Sequence, residues 1–448
     1  MKKFNRIRIR EKLRSNYWFV PTLMTGMAIA LALMTLMLDK AGKSGLFERF
    51  GYTGGADGSL TLLSTIANSM ITVAVTAFSV TLVALSLAAQ QFGPRVLRNF
   101  MQDKSYQLVL GTFTATFIYC LLVMRTVHTD KDQPFVPHIS LTVAILLTFA
   151  SIGMLIYFIH HATTSIHAWH IIGKISDELN NSIDYFFSER IGHGKHQPPA
   201  EIESDDNEAC SIFATESGYI QAIDRQRLMK IAQSKDLLMH LKYRPGKFVI
   251  EGSELVVICF GKHVETRHSA SLHKQINNAF ILGGERTANQ DVEFSIKQLV
   301  EIAIRAISPA INDPFTAIRC IDQLCAALCR LAEKDFPSPY RYDNNNNLRV
   351  ITNQVTFAGL LDDAFHQIRQ YGRSDVAVTI RLLEGTAVIA RHIRNRQDGL
   401  ALLRHVRMIR RGSQEGLPEE LDRKDVDAQY QEVIKTLTNV VGESSLYL

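Results

Sequence analysis

Apolar residues dominate four long stretches in the first third of the chain: Tyr17 to Leu38, Leu60 to Gln90, Tyr106 to Val127 and Ile139 to His161. Each meets or exceeds the ~20 residues a helix needs to cross the hydrocarbon of a bilayer. Past His161 the pattern changes to short alternations and amphipathic periods separated by Gly, Pro and Asn clusters, which predict strands and water-facing helices. The fold class expected is an α-helical membrane domain of four transmembrane helices plus a cytosolic α+β domain, a small β-rich unit followed by a helical bundle. The first stretch is too long for the apolar core of a signal peptide, and no small-residue cleavage site follows it.

These patterns set the expected boundaries. Residues 1–16 form a basic cytoplasmic segment, residues 17–165 the four-span domain, and residues 166–210 a stalk and linker ending in "GHGKHQPPAEIESDDNEAC". In residues 211–290, the Pro-Gly and Gly-Ser turns of "RPGKFVIEGSELVVICF" mark a β-rich subdomain. Residues 291–448 read as helical, with the Asn-rich "YDNNNN" and "RRGSQEGLPEE" as loops. The fourth span is expected to run on as a helical stalk through "IHAWHIIGKISDELNNSIDYFFSERI".

Charge orients the spans. "MKKFNRIRIREKLR" carries seven basic residues and one acidic one, and the second loop adds Arg95, Arg98 and Lys104. Basic loops stay on the cytoplasmic side, so both termini are expected there, in the inner membrane of a bacterium. The only tryptophans, Trp18 and Trp169, fall near the inner ends of the first and fourth spans, where amphipathic rings are favoured. Five of the six cysteines then lie in a reducing compartment, and no disulfide framework is expected.

The second span carries the most informative polar pattern. At ~100° per residue, Thr61, Thr65, Asn68, Thr72, Thr76, Ser79, Val83, Ser86 and Gln90 share one face about 80° wide. Polar side chains in hydrocarbon face other helices or water rather than lipid. Two readings stand. The hydroxyls bond their own backbone while small side chains allow close helix packing, or copies of this helix line a polar pathway around an oligomer axis. On the second reading Thr65, Asn68, Thr72, Thr76, Ser79, Ser86 and Gln90 line a pore, and Arg95 and Arg98 stand at its cytoplasmic mouth. Positive-inside charge accounts for those arginines equally well.

At the inner end of the fourth span, His160, His161 and His167 are candidates for pH sensing, with His160 and His167 two turns apart on one face. No metal site or cofactor is expected, since no ligand set is complete. No P-loop, GxSxG or HExxH is present, so no enzyme class is indicated. The acidic pair Asp362 and Asp363 reads as a solvated helix face.

"SPAINDPFTA" reads as a helix junction. Pro309 ends one helix at Ser308; Asp313 then N-caps a second that begins at Pro314, the favoured first position. Asn312 has no capping duty and is free to brace the corner or touch a neighbouring subunit.

"VALSLAAQQFGPRVLRNFMQDKSYQLVLGTFTATFIYCLLVMRTV", "YFIHH", "RPGKFVIEG" and "QLVEIAIRAISPAINDPFTAIRCIDQL", in that order, resemble a large bacterial domain-of-unknown-function family of predicted multi-pass membrane proteins. Gly93 departs from the family pattern, which usually has Ser, and His167 from a frequent Gln. The resemblance implies four spans plus a cytosolic domain and implies no activity. The expected function is a homo-oligomeric channel or transport-like pore; the alternative is a membrane-anchored sensor or scaffold. The expected partners are the lipid bilayer, further copies of the chain and an ion or small solute, with no nucleic acid.

Overall fold

The computed structural model describes residues 18–41, 55–93, 103–128, 135–165, 167–188, 193–194, 209–260, 270–288 and 290–442. They divide into two compact units, one ending at His170 and the other beginning at Ile171. The basic N-terminal segment, Arg95, Arg98 and most of the linker lie outside the described residues.

The first unit contains four helices long and apolar enough to cross a membrane: α1 (Phe19–Lys40), α2 (Ala56–Phe92), α3 (Lys104–Met124) and α4 (His138–Ser165). α3 packs on the other three, and its Phe113, Tyr119 and Val123 are fully buried with Leu63 of α2 and Leu141 of α4. Gly111 lets α1 approach closely, because a Cβ there would run into Met24 and the backbone of Pro21. Buried hydroxyls are shared between helices. Tyr119 pairs with Thr35 at 3.0 Å and donates to the Ser140 carbonyl at 3.1 Å. The Asp39 carboxylate, at the end of α1, accepts from the backbone N–H groups of Ile139 and Ser140 at 2.9 and 3.0 Å. One helix thus supplies the N-terminal cap of another.

α4 stops at Ser165 and α5 (Ala168–Ser188) is a separate helix, so the continuous stalk expected from the sequence is broken. The Thr163 and Thr164 hydroxyls bond the carbonyls of Ile159, His160 and His161, and such side chains compete with the last turn of a helix.

In the second unit the strands are β1 (His193–Gly194), β2 (Ala209–Phe213), β3 (Gly218–Ile223), β4 (Leu237–Leu241), β5 (Phe248–Val249), β6 (Glu254–Phe260), β7 (Phe280–Gly283), β8 (Tyr340–Tyr342) and β9 (Leu348–Ile351). They form a six-stranded sheet in the order β1-β8-β9-β4-β6-β2 and a three-stranded sheet in the order β5-β3-β7. All pairings are antiparallel except β4 with β9. Helices α6 (Arg225–Ser234) and α7 (Ala270–Asn277) contribute Leu228, Leu272 and Ile276 to the core closed by Met239, Val256 and Ile258.

Six helices complete the unit: α8 (Val292–Ala306), α9 (Pro314–Ala332), α10 (Phe357–Tyr371), α11 (Val376–His392), α12 (Arg396–Gly416) and α13 (Glu420–Val441). Residue 290 therefore does not separate strands from helices, since β8 and β9 come from between α9 and α10. "YDNNNN" is the turn of their hairpin. The Asp343 carboxylate accepts from the N–H groups of Asn345 and Asn347, both at 2.9 Å, and Asn346 takes φ +66°, a conformation Asn tolerates. "RRGSQEG" is helical to Gly416, where a Cβ would strike the Arg373 carbonyl. That glycine marks a close approach rather than a loop.

Candidate functional site

α2 is 37 residues long, about 55 Å at 1.5 Å per residue, against ~30 Å of hydrocarbon. Its buried face is Leu63, Ile66, Ala67, Met70, Ala74, Ala77, Ala84 and Ala88, and the alanines let α3 approach. Thr65, Asn68, Thr72, Thr76, Ser79, Ser86 and Gln90 are all exposed, on the side away from the bundle. The packing of α2 within the bundle is therefore done by this alanine-rich apolar face, and the polar stripe takes no part in it.

Thr65, Thr72, Thr76 and Ser79 each donate to the carbonyl four residues back, at 2.7–2.9 Å. Their donors are used, while the hydroxyl oxygens keep acceptor capacity. The Asn68 carboxamide forms no hydrogen bond among the described residues. Gly93 ends the helix at φ +97°, a conformation that suits glycine.

Of the three histidines, His161 alone is built into a contact. Its Nε2 lies 3.1 Å from Asp103 Oδ2, and its ring stacks on Tyr157 with centroids 5.6 Å apart. Asp103 also caps α3 by accepting from the Ser105 N–H at 3.0 Å. His160 is exposed, and His167 lies in the bend between α4 and α5. The shared helix face expected for those two does not form.

The helix junction is as follows. Asp313 N-caps α9, accepting from the Thr316 N–H at 3.1 Å and the Thr316 hydroxyl at 2.5 Å, with Pro314 at the first helical position. Asn312 takes φ +52° and donates its N–H to the Ser308 carbonyl at 2.9 Å. It provides the left-handed step that turns the chain after Pro309. Its side chain is exposed, and so is Phe315 at 81%.

Two features of the second unit escaped the sequence. The first is a cavity of about 70 Å³ between sheet and helices, lined by Arg225, Tyr243, Arg244, Arg341 and Thr352. Its floor is ionic. Glu293, 5% exposed in its side chain, is held by Arg244, by Lys247 at 3.2 Å and by Lys297 at 3.8 Å. Asp291 takes two bonds from Arg286, at 2.6 and 2.9 Å. Burial pushes both carboxyls toward protonation. At Glu293 the cations outweigh burial and hold it below its ordinary range; at Asp291 burial prevails. Gly246, at φ +87° in the "RPGKF" turn, is required because a Cβ there would overlap the Asp291 carboxylate.

The second is a knot on α10 and α12. Asp362 Oδ1 meets His405 Nε2 at 2.7 Å, His366 Nε2 at 3.2 Å and the Arg404 guanidinium. Asp363 pairs with Lys297 at 3.3 Å. Asp362 and Asp363 are thus cross-helix partners rather than a solvated face. Burial lowers His405 to about 4 despite Asp362 beside it. The three ligand-type groups lie within 4.8 Å of one another. A cation bound to His405 Nε2 would require a proton on Nδ1, which is buried without a partner, and would compete with Arg404. The donor set is better matched to an ion pair than to a metal.

The chain is similar to two mycobacterial proteins, each named only as uncharacterized: Rv1290c of Mycobacterium tuberculosis and Mb1321c of Mycobacterium bovis. Each is 30% identical over 425 residues, spanning 93% of this chain and 79% of the relative. No solved structure matches. Neither relative's name states an activity. Residues 14–387 match the family described as predicted membrane protein (DUF2254), and with four apolar helices ahead of a strand-and-helix unit the chain belongs to that family.

Proposed function

We propose that the chain assembles into a homo-oligomeric channel or transport-like pore of the bacterial cytoplasmic membrane. The polar face of α2 surrounds the axis, and the strand-and-helix unit, on the cytosolic side with both termini, assembles or gates it. One observation carries this reading: the aligned hydroxyls and the Asn68 carboxamide are exposed on the side away from the bundle, while an alanine-rich apolar face fills the internal interface. A carboxamide directed at hydrocarbon is unfavourable, and one directed at water or at a second copy is satisfied. Four spans seldom enclose a path alone, so several copies are needed.

The test is ion or solute flux through purified protein in liposomes under voltage, tension and pH steps. Flux is expected, and Thr72→Leu with Thr76→Leu should cut it several-fold by replacing hydroxyls with bulkier apolar groups. Absent flux, or flux indifferent to both substitutions, sinks the pore. The alternative, a membrane-anchored sensor or scaffold, is favoured by the arginine-lined cavity of the second unit. Ligand binding by a protein that conducts nothing would select it.

A further inference from the structure

The polar groups around the cavity of the second unit are unequally used. Glu293 is held by Arg244, Lys247 and Lys297, and Asp291 by Arg286. Arg225 is engaged as well. The Thr352 hydroxyl donates to the Pro339 carbonyl at 3.3 Å, and the Gln290 carboxamide bonds both backbone groups of Ile223, at 3.0 and 3.4 Å. Two half-buried donors on the lining carry no side-chain bond among the described residues: the Arg341 guanidinium on β8 and the Tyr243 hydroxyl just after β4. Burial and then the nearby Arg225 hold Arg341 below its ordinary value, and a partly desolvated guanidinium with no counter-charge is unfavourable. The rest of the wall includes an apolar patch of Leu228, Met229, Leu241 and Val350, all buried.

We infer that this cavity binds a short-chain monocarboxylate, its carboxylate held by Arg341 and Tyr243 and its hydrocarbon body laid against Leu228, Met229, Leu241 and Val350. A guanidinium fork matches the two oxygens of a carboxylate in one plane, and the phenol donates a further bond. One unpaired cation requires one negative charge. A phosphate dianion would bring a second charge toward Asp291 and Glu293, and the apolar patch would leave some of its oxygens without donors. Size sets the length: at ~10–15 Å³ for each water, a cavity of about 70 Å³ takes about five waters, so an acid of about three to five carbons fills it. The site stands whether or not α2 lines a pore.

The experiment is a saturation-transfer NMR titration of the full-length protein in nanodiscs of zwitterionic lipid with butyrate, with empty nanodiscs as the blank. Displacement of butyrate is measured in parallel with butyramide, which keeps the body without the charge, and with inorganic phosphate, which keeps charge without the body. Saturable butyrate binding is expected, with both competitors weaker by about ten-fold or more. Arg341→Gln should weaken butyrate by a similar factor, Tyr243→Phe by about three-fold, and Lys424→Gln on the exposed surface not at all. Should Arg341→Gln fail to fold, Arg341→Lys, which keeps the charge but not the fork, carries the same comparison together with Tyr243→Phe. No saturation, butyramide or phosphate competing as well as butyrate itself, or binding indifferent to substitution at both positions overturns the inference.

Discussion

The polar stripe of α2 in the first unit and the buried ionisable groups of the second are placed in opposite ways. In the first, the stripe hydroxyls of α2 face outward and bond the helix that carries them, while alanine, aliphatic and aromatic residues fill the interior. In the second, ionisable groups go inward: Glu293, Asp291 and His405 are buried and tied to Arg244, Arg286 and Asp362. A side chain bonded to its own backbone contributes little to tertiary structure. A buried ion held by distant segments is part of what fixes it. The contrast says where substitution should disturb folding and where it should disturb only function.

The largest effect is expected at Glu293. Glu293→Gln removes the anion from beneath Arg244, Lys247 and Lys297, and breaking a buried pair on one side typically costs about 3–5 kcal/mol. Lys247 and Lys297 are 40% and 31% exposed and can turn toward water, so the lower end, about 3 kcal/mol, is the expectation. Chemical denaturation of the full chain in detergent, followed by circular dichroism, measures it. A loss under about 1 kcal/mol would mean the floor of the cavity is not a structural element.

Next comes acid. His405 titrates at 6.5 when unfolded and at about 4 when folded. Between those values the unfolded chain takes up a proton that the native state refuses, so this stability is present above pH 6.5 and lost as the pH falls toward 4. The loss should reach about 2 kcal/mol by pH 5. His405→Phe, which fills the site without titrating, should flatten that limb when thermal midpoints are compared from pH 7 to pH 5. An unchanged slope would place the acid sensitivity elsewhere.

What could be read in the sequence, and what could not, follows the same division. The four apolar helices, the stripe of α2 and the Asp313–Pro314 start of α9 are set by neighbours within a turn or two, and local periodicity reveals them. Whether the stripe faces inward or outward depends on which face α3 covers, and the alanines at positions 67, 74, 77, 84 and 88 were the available signal. The cavity was invisible because its parts lie far apart: Arg244 is 49 residues from Glu293, and Arg225 and Arg341 come from different elements. His405 was hidden within the basic helix "LALLRHVRMIRR", whose charge suggests exposure. The Asn run is legible as a turn, but nothing local shows that the strand after it, β9, will pair with β4 across the sheet.

The smallest effect on stability is expected on α2, and there the comparison is most exposed to failure. Thr72→Val and Thr76→Val keep shape and remove only hydroxyls that bond their own helix, so unfolding should change by less than about 0.5 kcal/mol. Ala77→Val, one residue away on the face buried against the bundle, adds volume to a packed seam and should cost about 1–3 kcal/mol. Thermal midpoints in one detergent, with oligomer mass measured alongside, separate the two faces. If the threonine variants lose as much as the alanine variant, the stripe is a packing seam between copies, and the pore reading loses its foundation. If they leave both stability and assembly intact, the hydroxyls are free to face water, which is what a conducting surface requires.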